Sequence, residues 1–318
     1  VYVDLGCYHR KPVHQDFQGA VLMHDTTLKL TLRYLVSILI VGIFVFPIAW
    51  WGLTSVKPIS AVFDKDRIVV FDFEPTLENY RVTVLGYSKR GSKEDGKTLM
   101  GTSGNNSYDG RSSIVSSVIV AVGSTLITTI FALLASYGLS RMRFWGSQGY
   151  LNWILSQRFL PPVAIIVPLV FIFHDMGLRD THAGLIIAHT LINIPIAVLL
   201  LKSFMDDIPI DIDQAAMIDG ATRFQCFWMV ILPMVKGGLA ATAVLCFVFS
   251  WTEFLLSLFL TSSIRTIPVK ITTYVTSTGS EWGYISALGT SAILPSFIFI
   301  LLVQRHLVRG LTMGAIKD

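Results

Sequence analysis

One stretch has the spacing of a phosphate-binding loop. GSKEDGKT, Gly91 to Thr98, matches G-x-x-x-x-G-K-[ST], in which backbone N–H groups would cradle phosphate and the lysine would reach its oxygens. Such a loop needs a helix opening at its Lys-Thr, so that the dipole and the free amides face the phosphates. LMGTSGNNSYDG follows instead, without helical character, so the match is read as a decoy. The seven histidines include no HxxxH or HxH pair. His182 and His189 share a helical face, but without a third ligand they read as packing or polar lining. Cys7, Cys226 and Cys246 form no CxxC pair, which implies neither a disulfide frame nor a zinc site. GxSxG and HExxH are absent, so no catalytic, cofactor or metal site is expected.

The stretch from Asp211 to Pro233, DIDQAAMIDGATRFQCFWMVILP, is informative in another way. Asp211, Asp213, Asp219 and Arg223 are too costly for lipid, so it cannot span a membrane. It reads as two short helices with a break. Asp211 and Gln214 have the spacing of a capping pair, as do Thr222 and Gln225, and each predicts a helix start. Gly220 predicts a left-handed stop between them. Phe224, Phe227, Trp228 and Ile231 fall at i, i+3, i+4, i+7, one helical face, and Pro233 is expected to end the run. Ala215 and Ala216 leave the first helix with little side chain, so its backbone can press close to another surface.

The flanking elements set this stretch in a membrane. The chain is 53% hydrophobic and 14% charged, against about 25% charged in soluble domains, and it holds several uncharged runs near the length of a bilayer crossing. The predicted class is an all-α polytopic membrane protein. Six spans are expected: 34–53, 114–139, 150–173, 183–201, 237–260 and 285–303. Residues 1–33 form an N-terminal segment without the apolar core and cleavage site of a signal peptide, and Met23 stands as an alternative start. Residues 54–111 form a long polar loop, rich in Gly, Ser and Asn from Gly86 to Gly110. Residues 112–304 hold the remaining spans with the polar loop 207–233, and 305–318 form a basic tail. Pro161, Pro162 and Pro168 predict a kinked or broken third span, tolerated where neighbours satisfy the freed carbonyls. Arg158, near its start, is read as a snorkelling or helix-pairing residue. His189, Asn193 and Pro195 are polar or kinking positions in the fourth.

Lys and Arg near the span ends give an orientation. Arg10, Lys11, Lys29, Arg33, Arg141, Arg143, Lys202, Arg223, Lys236, Arg305, Arg309 and Lys317 gather on one face, and Arg179, Arg265 and Lys270 hold the opposite short loops. The first face is therefore expected to be cytoplasmic, with both termini and the 207–233 loop. Gly91 to Thr98 then faces outward, away from ATP. A net charge of +4 without a basic block gives no reason to expect nucleic acid.

The Asp211–Pro233 stretch resembles the "EAA" loop of permease subunits in bacterial ABC importers. That pattern is Glu-Ala-Ala, three residues, Gly, nine residues, Ile, one residue, Leu-Pro. Here it reads Gln214, Ala215, Ala216, then Gly220, Val230, Leu232 and Pro233, complete in spacing with Gln for Glu and Val for Ile. RFLPPVAIIVP, MGLRDTHAGLI, SWTEFLLSLFLTS and QRHLVRGLTMGAIKD extend the likeness to the carbohydrate-importing, maltose-type branch, over nearly all of 114–318. PTLENY resembles the segment before that family's second span.

The resemblance implies a six-helix type I importer permease fold in the bacterial inner membrane. It implies a second permease subunit, giving a heterodimer, two ATPase subunits that bind ATP and magnesium, and an extracytoplasmic binding protein that delivers substrate. The loop would be a coupling helix docked in a cleft of the ATPase subunit, with Gln214, Ala215, Ala216, Asp219, Gly220, Ala221, Phe224, Phe227 and Pro233 as its residues. Gln214 removes a charge, which puts an ion pair there in doubt. ATP binding would close the ATPase pair and switch the spans from inward- to outward-facing. Trp251, Thr252, Glu253 and Asn193 are the substrate-pathway candidates. A tryptophan face stacks on sugar rings, and an ionisable group in a span is expected to face a cavity. An oligosaccharide, a polyol, an acidic sugar or a sugar phosphate all fit. A secondary transporter would bring inverted repeats and intramembrane ion sites, yet the loop has no second copy and only one acidic residue lies well inside a span.

Overall fold

The computed structural model describes residues 27–62, 72–87, 108–142, 144–276 and 279–314. The phosphate-loop match at Gly91–Thr98 and the start at Met23 lie outside them. Two compact units divide the chain, Val1–Trp51 and Gly52–Asp318. The first is built on the opening helix, Thr27–Ser55, whose run after Arg33 is uncharged.

The second unit holds the other spans. Arg111–Arg141, His182–Asp206 and Trp282–Gly314 are continuous helices, each long and apolar enough to cross a bilayer, as is the opening helix. Two further candidate crossings are bent pairs: Ser147–Phe159 with Pro162–Asp175 at 96°, and Arg223–Met234 with Lys236–Thr252 at 74°, where the leg before the bend belongs to the polar stretch and Lys236–Thr252 opens the fifth span. Counting each pair once gives six. The first elbow falls at Leu160–Pro161, where the proline pair denies the helix its amides. Pro168 and Pro195 sit inside helices that run on unbroken. Among the described residues the only strands are Val275–Thr276 and Gly279–Ser280, a short antiparallel pair.

The second span packs most heavily against the fourth and next against the fifth, which also packs on the sixth. Small and hydroxyl residues permit this. Ser113, Ser116, Ser117, Ser124, Thr125, Thr128 and Ser136 are buried along the second span. Ser136 Oγ donates to the Val198 carbonyl at 3.0 Å and Ser124 Oγ to Ser250 Oγ at 2.8 Å, tying it to the fourth and fifth. Gly238 lets the fifth span close on the fourth, since a Cβ there would collide with the Phe204 ring. Two apolar clusters result. One, around Leu133, Leu201, Met205, Phe227 and Ile231, seats the Asp211–Pro233 stretch. The other, around Ile166, Phe173, Leu185, Leu256 and Leu260, joins the third, fourth and fifth spans at their other end.

At that end Asp180 clasps two loops. Its backbone is left-handed (φ 57°), and its carboxylate accepts the N–H groups of Ser262, Ser263 and Ile264 at 2.9, 3.0 and 3.1 Å. The Ser263 hydroxyl donates to it at 2.6 Å. Burial acts to raise this carboxyl, but the Ser263 hydroxyl and the three amides outweigh it and hold it well below the usual carboxylate range. A depressed folded-state value stabilises the clasp above the ordinary carboxylate value of about 4, and the contribution is lost as pH falls below it. Asp180→Asn keeps a residue that tolerates the left-handed backbone but removes the charge. Several-fold faster amide exchange is expected at Ser262 to Ile264, and unchanged exchange there would refute the clasp.

Candidate coupling surface and membrane cavity

The polar stretch folds as a helix, a tight turn and a second helix. The first runs Ile210–Ile218, and it starts differently from the sequence expectation. Pro209 occupies the cap position at φ −55°, and no side chain caps the helix. Asp211 lies inside the first turn, where a carboxylate acts on the helix dipole without a cap bond. The stop is as expected. Gly220 is left-handed at φ 90°, with its N–H on the Met217 carbonyl and the Ala221 N–H on that of Ala216, the two bonds of a Schellman close. The next start is also as expected. Thr222 and Gln225 form a capping box: the Gln225 N–H donates to Thr222 Oγ1 at 3.3 Å and the Thr222 N–H to Gln225 Oε1 at 2.8 Å.

Beyond it the periodicity changes. Cys226–Ile231 is a π-helical turn, and the helix continues through Leu232–Met234, past Pro233. Pro233 follows directly on the π turn without ending the helix, and the bend comes at Val235 instead. The wider i→i+5 winding disrupts the expected stripe. Phe227 and Ile231 are buried at 3% and 0%, while Phe224 and Trp228 are 71% and 47% exposed. Phe227 packs on Tyr137 at 4.7 Å. Gln214, Ala215, Asp219, Gly220, Phe224 and Pro233 are exposed, and Ala216 and Ala221 are half-buried. Of the nine expected coupling residues, eight are therefore exposed or half-buried, with Ile218 86% exposed beside them, and Phe227 is buried.

The fifth span is broken inside the membrane segment. Lys236–Thr252 stops, Glu253 is extended (φ −67°, ψ 129°), and Leu255–Leu260 resumes the helix. The Glu253 carboxylate takes up amides freed by the break, accepting from Leu256 N–H at 3.0 Å and Ser257 N–H at 3.3 Å. His189 Nε2 lies 3.5 Å from its Oε2. Together with Arg158, Asn193, Phe249 and Ser250 these two line a cavity of about 740 Å³ between the third, fourth and fifth spans, within the ~300–1,000 Å³ typical of small-molecule sites. Arg158 lies over the Phe249 ring at 5.0 Å and donates to the Ile192 carbonyl at 3.3 Å. Asn193 Nδ2 donates to Ser250 Oγ at 2.9 Å.

Of the four substrate-pathway candidates, Asn193 and Glu253 meet at this cavity. Trp251 is buried away from it, stacked on Phe247 at 5.5 Å, which stacks in turn on Phe299 at 4.0 Å. Thr252 is exposed, its hydroxyl donating to the Val248 carbonyl. His189, expected as packing or polar lining, lines the cavity, and so does Arg158, expected as a snorkelling or helix-pairing residue. A cation beside a proline pair in an apolar run was the available signal for Arg158.

A bundle with an exposed short helix, closed at Gly220, at one end and a polar-edged cavity among its spans has the parts of a membrane transport subunit. Residues 128–313 match the family described as "Binding-protein-dependent transport system inner membrane component". The chain belongs to this family, the permease subunits of binding-protein-dependent ABC importers. It is 32% identical to the trehalose transport system permease protein SugB of Mycobacterium tuberculosis, over 88% of this chain and 94% of that one. It is 31% identical to the sulfoquinovosyl glycerol transport system permease protein SmoH of Agrobacterium fabrum, over 90% and 93%. Its fold is similar to a chain of a bacterial ABC transporter involved in import of the acidic polysaccharide alginate, with TM-score 0.67 and 19% identity over 89% and 97% of the two chains. The six-span permease fold expected from the sequence is borne out.

Proposed function

We propose that this permease subunit imports a sugar or oligosaccharide and receives the work of ATP hydrolysis through Gln214–Ala221. The observation that carries the second part is the exposed, small-residue helix ending in a Schellman close at Gly220. A short element closed by a Schellman turn can transmit force, and Ala215 and Gly220 leave its backbone open to close approach. The sugar assignment rests on relatives named for trehalose and sulfoquinovosyl glycerol, and on a cavity whose Asn193, Arg158 and Glu253 offer hydroxyl-binding groups. Half the pathway comes from this chain and half from a second, different permease subunit. Two ATPase subunits hold ATP and magnesium, and an extracytoplasmic binding protein delivers substrate. This chain itself is non-catalytic and takes no cofactor.

The Lys/Arg distribution supports both termini and the coupling loop lying on the cytoplasmic side of a bacterial inner membrane. Reporter fusions are expected to read outside at Ser92 and Asp180 and inside at Thr222 and Asp318. A cytoplasmic signal at Ser92 would overturn the orientation. For the function, uptake is measured with and without the ATPase subunits and the binding protein. Both are expected to be required, and the purified chain alone to hydrolyse no ATP. Uptake driven by an ion gradient without the ATPase would mean a secondary transporter.

A further inference from the structure

Asp213 points away from the exposed coupling surface and into its own chain. It is buried, and its Oδ2 meets Arg141 Nε at 2.9 Å, the two side chains 8% and 4% exposed. Arg141 is the last residue of the second-span helix, so this ion pair joins the coupling helix to that span. Each partner is held a second time. Arg141 Nη2 donates to the Ile208 carbonyl at 2.9 Å, in the turn that leads from the fourth span into the coupling helix. Cys226 Sγ donates to Asp213 Oδ1 at 3.5 Å, from the helix that leads on toward the fifth. Three strands of the chain path therefore meet at one charge pair.

A buried pair adds little net stability, because desolvation offsets attraction, and apolar residues of similar volume often serve as well. What it adds is geometry. Apolar surfaces slide over one another with little change in energy, whereas opposite charges buried 2.9 Å apart, with Arg141 also bonded to the Ile208 carbonyl, resist separation. We infer that Arg141–Asp213 is the joint that carries displacement of the coupling helix into the second span, a positioning pair for transport and not a stabilising one. The second span packs on the fourth and fifth, which line the membrane cavity, so movement at the joint reaches the cavity through rigid helices. Beside the joint a cavity of about 520 Å³, lined by Tyr137, Ser140, Gln214 and Met217 among others, leaves it room to shift.

This inference rests on Gln214–Ala221 being the docking element, and the test separates the two. Arg141→Met with Asp213→Leu removes both charges while keeping apolar volume. The assembled transporter is measured for membrane level, ATPase co-purification, ATP hydrolysis and uptake. The expected result is normal level and normal ATPase binding, with uptake per ATP hydrolysed lowered about tenfold, within the usual range of coupling energies between sites. Normal uptake per ATP in the double variant overturns the joint. Depletion of the double variant from the membrane also overturns it, because the pair would then be a stabilising one. Arg141→Lys supplies an independent arm. It keeps the charge balance but loses the fork that holds Asp213 and Ile208 together, and it is expected to lower uptake per ATP at normal membrane level; full coupling in that variant counts against the joint. If the docking reading itself is wrong, Gly220→Val leaves ATPase binding and uptake intact. Disrupted docking in Gly220→Val beside full coupling in both joint variants rejects the joint alone.

Discussion

Gly220→Val is expected to reach the membrane at the normal level and to lose uptake by roughly tenfold or more, the scale set by one close contact of about 1.4 kcal/mol at a docking interface. Two costs could follow from the substitution. Gly220 holds φ at 90°, and a side-chain-bearing residue there costs about 1 kcal/mol of backbone strain, more for a β-branched one. That is too little to unfold six packed spans. A Cβ at Gly220 would meet nothing of its own chain within 4 Å, so steric exclusion within this subunit contributes nothing. Loss of function would then have to come from whatever approaches Gly220 from outside. ATPase co-purification should fall with uptake. Gln214→Glu should be tolerated, since it restores the family residue and places a negative charge within a helix that is exposed at that position. Normal uptake by Gly220→Val with the ATPase subunits bound would sink the coupling assignment, and absence of the protein from the membrane would make Gly220 purely structural.

The second large effect is expected at Glu253. Its carboxylate holds the Leu256 and Ser257 amides at the break in the fifth span while also lining the cavity. Glu253→Ala strips both bonds at once, each comparable to a lost helix cap at about 1 kcal/mol, and leaves His189 Nε2 with Ser257 Oγ at 3.5 Å but without its carboxylate neighbour. Uptake should fall roughly tenfold or more. Glu253→Gln retains an amide oxygen for one of the two N–H groups, so it should keep the break in place and shift mainly the substrate dependence. Trp251→Ala should act differently. It removes a ring stacked on Phe247, so the expected loss is in membrane level, at about 3 kcal/mol for an aromatic truncated in a core, with the substrate dependence of the remaining protein unchanged. If Glu253→Gln and Glu253→Ala both keep wild-type uptake and substrate dependence, the cavity is not the pathway.

These contrasts show which parts of the structure local rules could reach. The second span was expected over 114–139 and runs Arg111–Arg141; the fourth was expected over 183–201 and runs His182–Asp206. An uncharged apolar run constrains a helix strongly, while its polar ends are decided by neighbours. Gly220 and the Thr222–Gln225 box were equally legible, because each acts on backbone within a few residues. Asp211 and Asp213 were not separable that way. Both sit near a helix start, and only Arg141, distant in sequence, makes Asp213 the buried one. The same limit hid the cavity. Two apart on one helix, Trp251 and Glu253 would diverge by roughly 200°, so only one could face a cavity; which one is decided where the chain turns extended at Glu253, with no Gly or Pro to announce it. The stripe from Phe224 to Ile231 failed because a 3.6-residue period was applied to a π turn.

The elbow in the third span has a mechanical side. Its two legs, Ser147–Phe159 and Pro162–Asp175, are each about 20 Å long, so neither crosses the ~30 Å hydrocarbon layer alone. Joined at a 96° bend they reach end to end by about 28 Å, and only with both legs steeply inclined. A straight helix meets a thicker or thinner bilayer by tilting, and its middle stays where it was. A right-angled one meets it by opening or folding, and the corner travels sideways as it does. Arg158 is two residues from that corner and reaches into the cavity. An elbow that opened or folded with bilayer thickness would carry Arg158, the guanidinium on the cavity wall, sideways, which would make lipid chain length a mechanical input to the cavity.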